Sequence, residues 1–192
     1  MEQLDLIYDH YKETFAILSE QIKQRNKKFV FVFLVSCILL LFTFSPDEYG
    51  NLVFGYIYEQ YSIDLSNQFA VIQTFLWVIL LYETLRYSQA FVYIEREYKY
   101  IGTLETKISA LSSISFNRES KDYADNFSMI SKYTNIIYKY LFPLFSIVVA
   151  ILKIISEWVH LNIWYFSLID TFLCIAYLLL WIFHSYYATK ND

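Results

Sequence analysis

Lysine and arginine are missing from two stretches of this chain, and those gaps constrain its fold more than any motif does. Four apolar runs can be cut from the sequence: Phe29 to Ser45, Gln68 to Tyr87, Ile136 to Ser156, and Ile163 to His184. The connector Pro46 to Asn67 holds no Lys or Arg, and neither does the connector Glu157 to Asn162. Basic residues gather in the N-terminal arm and in the middle connector. Charge-poor loops cross a membrane, whereas basic loops stay on the cytoplasmic side. The pattern predicts an all-α polytopic bundle of four transmembrane helices with both termini in the cytoplasm.

Composition agrees. Hydrophobic residues make up 57% of the chain and aromatic residues 21%, above the roughly 45–50% apolar content of soluble domains. The net charge of -4 argues against a nucleic-acid partner, whose phosphates need a concentrated basic face. The outer connectors are acidic through Asp47, Glu48, Glu59, Asp64 and Glu157. The two cysteines, Cys37 and Cys174, fall inside expected spans and form no disulfide framework. No small-x-small cleavage site follows the first run, so that run is expected to be retained rather than cleaved as a signal peptide.

Residues 1–28 read as an amphipathic helix. Leu4, Tyr8, Tyr11, Phe15, Leu18 and Ile22 recur with 4-3-4-3-4 spacing and form one bulky stripe. The stripe needs a cover: another cytoplasmic helix of the same chain, a neighbouring subunit, or the inner membrane surface. No Gly or Pro separates it from the first span, so one continuous helix is expected. Residues 29–87 form the first transmembrane hairpin, with the acidic outer loop 46–67. Within that loop Leu52 to Tyr61 suits a short helix at the outer interface. Residues 88–135 form a long cytoplasmic helical hairpin whose first helix continues the second span. Residues 136–187 form the second transmembrane hairpin, and 188–192 a cytoplasmic tail. Pro143 in the third run predicts a kink near Tyr138–Lys139, because proline frees the carbonyl four residues earlier.

Catalytic patterns are absent. His10, His160 and His184 lie on different parts of the expected topology. There is no His-Glu-x-x-His, no Cys-x-x-Cys, and no Gly-rich phosphate loop. The chain is therefore expected not to be an enzyme and to need no cofactor or metal. Charges within the apolar runs are more informative. An ionised Asp170 inside a span costs roughly 2.5–3.5 kcal/mol on insertion scales, so it needs a partner or water. Lys153, on the facing helix of the same hairpin, is the obvious candidate. Three readings stay open: a Lys153–Asp170 pair, a polar pathway lined by Asp170, and a protonated Asp170 facing an interface. Glu83 and Arg86 sit one turn apart at the inner end of the second span and read as a snorkelled pair or a hinge contact. Lys139 reads as an interfacial anchor. The segment Phe116-Asn117-Arg118-Glu119-Ser120-Lys121-Asp122-Tyr123 combines charge with aromatics. Arg118 and Lys121 there could dock a partner.

That segment before a third span containing Phe142-Pro143, together with four spans and a cytoplasmic helical hairpin, resembles small bacterial membrane proteins of antiphage defence loci. These include SLATT-like effectors and membrane accessory proteins. The resemblance covers the layout of most of the chain through one loose motif, and no family site residues carry over. It implies a homo-oligomeric inner-membrane effector or scaffold that responds to or anchors a co-encoded cytoplasmic protein and perturbs or permeabilises the membrane. A small ion channel or transporter using Asp170 and Lys153 is the alternative.

Overall fold

A computed structural model describes residues 2–44, 55–61, 69–112, 114–116, 133–134, 136–160 and 164–190. Four long helices carry nearly all of them: α1 (Glu2–Phe44), α2 (Phe69–Ser112), α3 (Phe142–His160) and α4 (Trp164–Lys190). A π-helical turn, Ile137–Leu141, runs directly into α3. Residues 55–61 form a short helix whose Tyr56, Tyr58 and Tyr61 are exposed. Three helical stretches are long and apolar enough to cross a membrane: Gln3–Phe44, Ile137–Val159 and Trp164–Ala188. The apolar half of α2 is interrupted by Gln73, Glu83 and Arg86 and does not stand among them.

The helices form a ring in which each packs mainly on two neighbours, α1 on α2 and α3, and α4 on α2 and α3, while Trp77 and Tyr87 of α2 reach across to α3. Side-chain contacts fix the directions. Lys28 meets Glu83 while Tyr11 meets Glu105, so α1 and α2 run antiparallel. Phe29 packs on Phe142 and Ser156 Oγ donates to the Thr43 carbonyl, so α1 and α3 run parallel. Trp77 meets Tyr177 and Phe91 meets His184, so α2 and α4 run parallel.

Helix α4 turns its more polar face inward, onto a core that also holds Val32, Leu39, Leu80 and Phe142. Along α4 the residues Ser167, Asp170, Cys174, Tyr177, Trp181, His184 and Ala188 repeat at 3-4 spacing, and every one is buried. Phe172, Ile175, Leu179, Ile182 and Phe183 on the other faces are exposed. Water would select the opposite arrangement. In hydrocarbon, lipid is as apolar as leucine, so polar and small side chains turn inward and hold the helices together.

Pro143 explains the π-turn. Proline offers no N–H and its ring crowds the carbonyl one turn back. The expected kink appears as a wider turn, in which the Phe142 N–H donates to the Ile137 carbonyl. A regular helix would have used that N–H on the Tyr138 carbonyl. The freed Tyr138 oxygen instead accepts from the Tyr87 hydroxyl of α2, at 3.4 Å. The kink is thereby tied to the neighbouring helix.

Below the four-helix part, α1 and α2 continue as a two-helix arm. Tyr11 and Leu18 of α1 pack with Ile94, Ile101, Leu104 and Ile108 of α2, and Leu4, Ile7, Phe15 and Ile22 flank them. The stripe on α1 is thus covered by α2 of the same chain, the first of its three expected covers. Tyr8, a member of that stripe, sits at the edge and is partly exposed. It stacks on Tyr11 and meets Phe116 edge-on. Gly102 produces no break, since α2 is continuous through it. The helix stops at Ser112. The Phe116 N–H donates to Ser109 Oγ at 2.8 Å, and the Phe116 ring folds back on Tyr11. Arg118, Lys121 and the expected return helix lie outside the described residues.

Candidate functional site: a buried charge cluster

Lys153, Glu157 and Asp170 sit within the bundle near the end where α3 and α4 meet. Their exposures are 1%, 1% and 0%. The helix α3 continues to His160, so Glu157 is no loop residue. This corrects its expected place in the outer connector. The physical reason is spacing: four residues after Lys153, one helical turn brings Glu157 back to the same face. Lys153 Nζ lies 3.0 Å from Glu157 Oε1. The Trp77 indole N–H reaches the same oxygen from α2, at 3.4 Å.

The expected Lys153–Asp170 pair is therefore also corrected. Lys153 pairs along its own helix, and Asp170 lies alongside within electrostatic range of Lys153 and against Thr74 and Glu157. Thr74 and Glu157 both lie close enough to interact with the Asp170 carboxyl, yet neither of its oxygens makes a hydrogen bond of good geometry among the described residues. Glu157 Oε2, Gln73 Oε1, Thr74 Oγ1 and Ser167 Oγ are likewise buried without partners. Two carboxyl groups thus face one ammonium, ringed by neutral oxygens. Buried polar groups are normally satisfied, and intramembrane ionisable groups usually mark a working site. Among the described residues no group of three or more His, Cys, Asp or Glu side chains is placed to hold a metal ion.

Below the cluster the interior stays polar. Ser36, Ser146, Thr84 and Tyr177 bring buried hydroxyls toward the axis. The Trp77, Tyr177 and Trp181 rings fill it, with Trp77 at 6.0 Å and Trp181 at 6.1 Å from Tyr177. The axis is plugged by aromatic rings rather than open.

A second set of charges collars the base of the arm. Glu83 pairs with Lys28 of α1 at 3.1 Å, whereas Arg86 is exposed and reaches Gln89. The expected Glu83–Arg86 pair does not form, because Glu83 turns toward the partner helix. Arg25 stacks over the Tyr138 ring at 4.5 Å. Lys139 corrects its reading as an interfacial anchor. It is 4% exposed and points from the π-turn toward Glu95 of α2, 3.9 Å away. The wider turn rotates it inward, and Glu95, remote in sequence, receives it.

No protein family matches the chain, nor does any curated protein or solved structure. The site must be read from its own geometry. Sequence reasoning found Asp170 and Lys153 but missed Glu157, Gln73 and Trp77. The signal for Glu157 was its i, i+4 relation to Lys153. The signal for Gln73 and Trp77 was their own i, i+4 spacing on the buried face of α2.

Proposed function

We propose that this chain is a four-span membrane effector whose cytoplasmic two-helix arm passes a signal or partner contact into the membrane. Its N- and C-termini share the cytoplasmic side, and its resting bundle is closed. The observation that carries the reading is continuity: α1 and α2 each run unbroken from arm to span, over 43 and 44 residues. A tilt or twist imposed on the arm reaches the level of Lys153, Glu157 and Asp170 without a hinge to absorb it. Water entering there would hydrate the Asp170 carboxyl and the free oxygen of Glu157, so the cluster favours an opened state once one is accessible. The axial aromatic plug makes one closed copy a poor conductor, which favours a homo-oligomer as the permeabilising form. Such a device is what the resemblance to defence-locus effectors and scaffolds implies. A co-encoded cytoplasmic protein is the natural occupant of the arm.

A second reading is a small ion channel or transporter. The spacing of Asp170, Tyr177 and His184 at i, i+7 and i+14 on the buried stripe of α4 favours it. The test is mass in detergent together with leakage of a trapped dye from liposomes. An effector is expected to be oligomeric and nearly tight at rest, with leakage changed several-fold by Asp170→Asn. A monomer that passes one ion species would support the channel instead. A monomer whose liposomes stay tight with and without Asp170→Asn would contradict both.

A further inference from the structure

A groove of ≈ 570 Å³ runs between α2 and α4 at the end from which the arm projects. Its α2 wall descends through Leu85, Ser88 and Gln89 to Tyr93 and Arg96, and its α4 wall through Leu180 and Phe183 to His184 and Tyr187. Leu85, Leu180 and Phe183 make the end toward the bundle largely apolar, Ser88 and Gln89 lie between, and the one cation of the lining, Arg96, stands at the end toward the arm. From Leu85 to Arg96 the groove extends about 16 Å at the rise of an α-helix.

Three observations on polar groups point to a ligand. His184 is 3% exposed, and neither ring nitrogen has a hydrogen-bond partner among the described residues. Its ring is held by Tyr87, Phe91 and Trp181, with centroids 5.6, 4.6 and 5.2 Å away. Ser88 Oγ is also buried without a partner. Arg96 makes none of the ion pairs found among the described residues. No carboxylate lines the groove. Of the nearest acids, Glu95 faces Lys139, and Glu97 interacts with Tyr93.

Depth supplies the ligand class. If Trp164 marks the outer interface, His184 stands twenty residues deeper, or about 30 Å, the thickness of the hydrocarbon core. The arm end of the groove then lies at the inner headgroup level. We propose that this groove binds an anionic phospholipid of the inner leaflet, its phosphate between Arg96, His184 and Ser88 and its acyl chains along Leu85, Leu180 and Phe183. Basic pockets between spanning helices on the cytoplasmic side suit such headgroups. The inference rests on the proposed sidedness but not on gating, so a bundle that holds the lipid yet never leaks would leave it standing.

The test uses the full chain, delipidated in detergent, in native mass spectrometry with phosphatidylglycerol or phosphatidylcholine of identical acyl chains. Phosphatidylglycerol is expected to remain bound, one per chain, under activation that strips phosphatidylcholine. Arg96→Glu should weaken it roughly 10- to 30-fold. His184→Phe, which keeps the ring packing and removes the nitrogens, should also weaken it, while Lys12→Glu on the arm should not. Equal retention of the two lipids, or an unchanged preference in both Arg96→Glu and His184→Phe, would overturn the proposal. So would full competition by glycerol phosphate, which would make the groove a free-phosphate site.

Discussion

Lys153→Met is expected to lower stability by about 3–5 kcal/mol, the cost of breaking a buried ion pair by removing one member. Methionine keeps most of the lysine stem, so the volume change is small and the loss is electrostatic. Among the described residues Glu157 would retain the Trp77 indole N–H, and Asp170 would lose the nearby Lys153 cation. The prediction has a built-in check. Lys153→Met combined with Glu157→Gln removes both charges of the pair and should recover much of the loss, because replacing a whole buried pair is far cheaper than halving it. The two effects are therefore strongly non-additive. Unfolding by SDS titration of purified protein would measure this. A Lys153→Met variant as stable as Lys12→Met, which disturbs an exposed pair with Asp9 and an exposed contact with the Tyr8 ring, would refute the cluster as described. Exposed pairs contribute only about 0–1 kcal/mol.

Leu18→Ala is expected to loosen the arm while sparing the spans. Leu18 is 0% exposed in the arm core with Ile94, Ile101 and Ile108. Truncating a buried leucine costs roughly 2–5 kcal/mol. Among the described residues the arm core is a single seam between α1 and α2, so one truncated leucine removes a large share of that seam's apolar contact. The ties described beside that seam include His10 with Tyr100 at 2.9 Å, Tyr11 with Glu105 at 3.3 Å, and the Phe116 ring. Hydrogen exchange should then rise across residues 4–22 and 94–112, while α3, α4 and the upper halves of α1 and α2 stay protected. Local opening of this kind is how stability divides within a fold. Because the helices are continuous, the same variant should alter leakage through the bundle. Uniform exchange over arm and spans would show that the two parts are one cooperative unit, and an unchanged arm would show that its core lies elsewhere.

Much of this fold was legible in the sequence, for reasons tied to particular residues. The 4-3 rhythm of Leu4 through Ile22 located the arm seam, and the absence of Gly or Pro after it gave the continuous α1. Pro143 announced the disturbed turn, although its form depended on Tyr87 of another helix. What the stripe packs on could not be read, since Ile94, Ile101 and Ile108 are some ninety residues away and three covers were equally compatible with it. The interior of α4 was hidden for a different reason. Apolar periodicity marks the buried face of a helix that folds in water. In lipid the sign inverts, and the buried repeat is Ser167, Asp170, Cys174, Tyr177, Trp181, His184 and Ala188. The apolar run was likewise ended at Ser156 because Glu157 is charged, although a helix continuing one turn brings it onto Lys153. Lys139 looked like an anchor because its partner, Glu95, is distant in sequence and meets it only through the π-turn.

Sidedness supports every functional assignment, and site-directed labelling tests it most directly. In a background with Cys37 and Cys174 replaced by serine, Glu59→Cys and Lys12→Cys would each be exposed to a membrane-impermeant maleimide in intact cells. Glu59, on the exposed short helix 55–61, should react without lysis, and Lys12, on the arm, only after it. Labelling of Lys12→Cys in intact cells, with Glu59→Cys protected until lysis, would invert the topology and contradict the account.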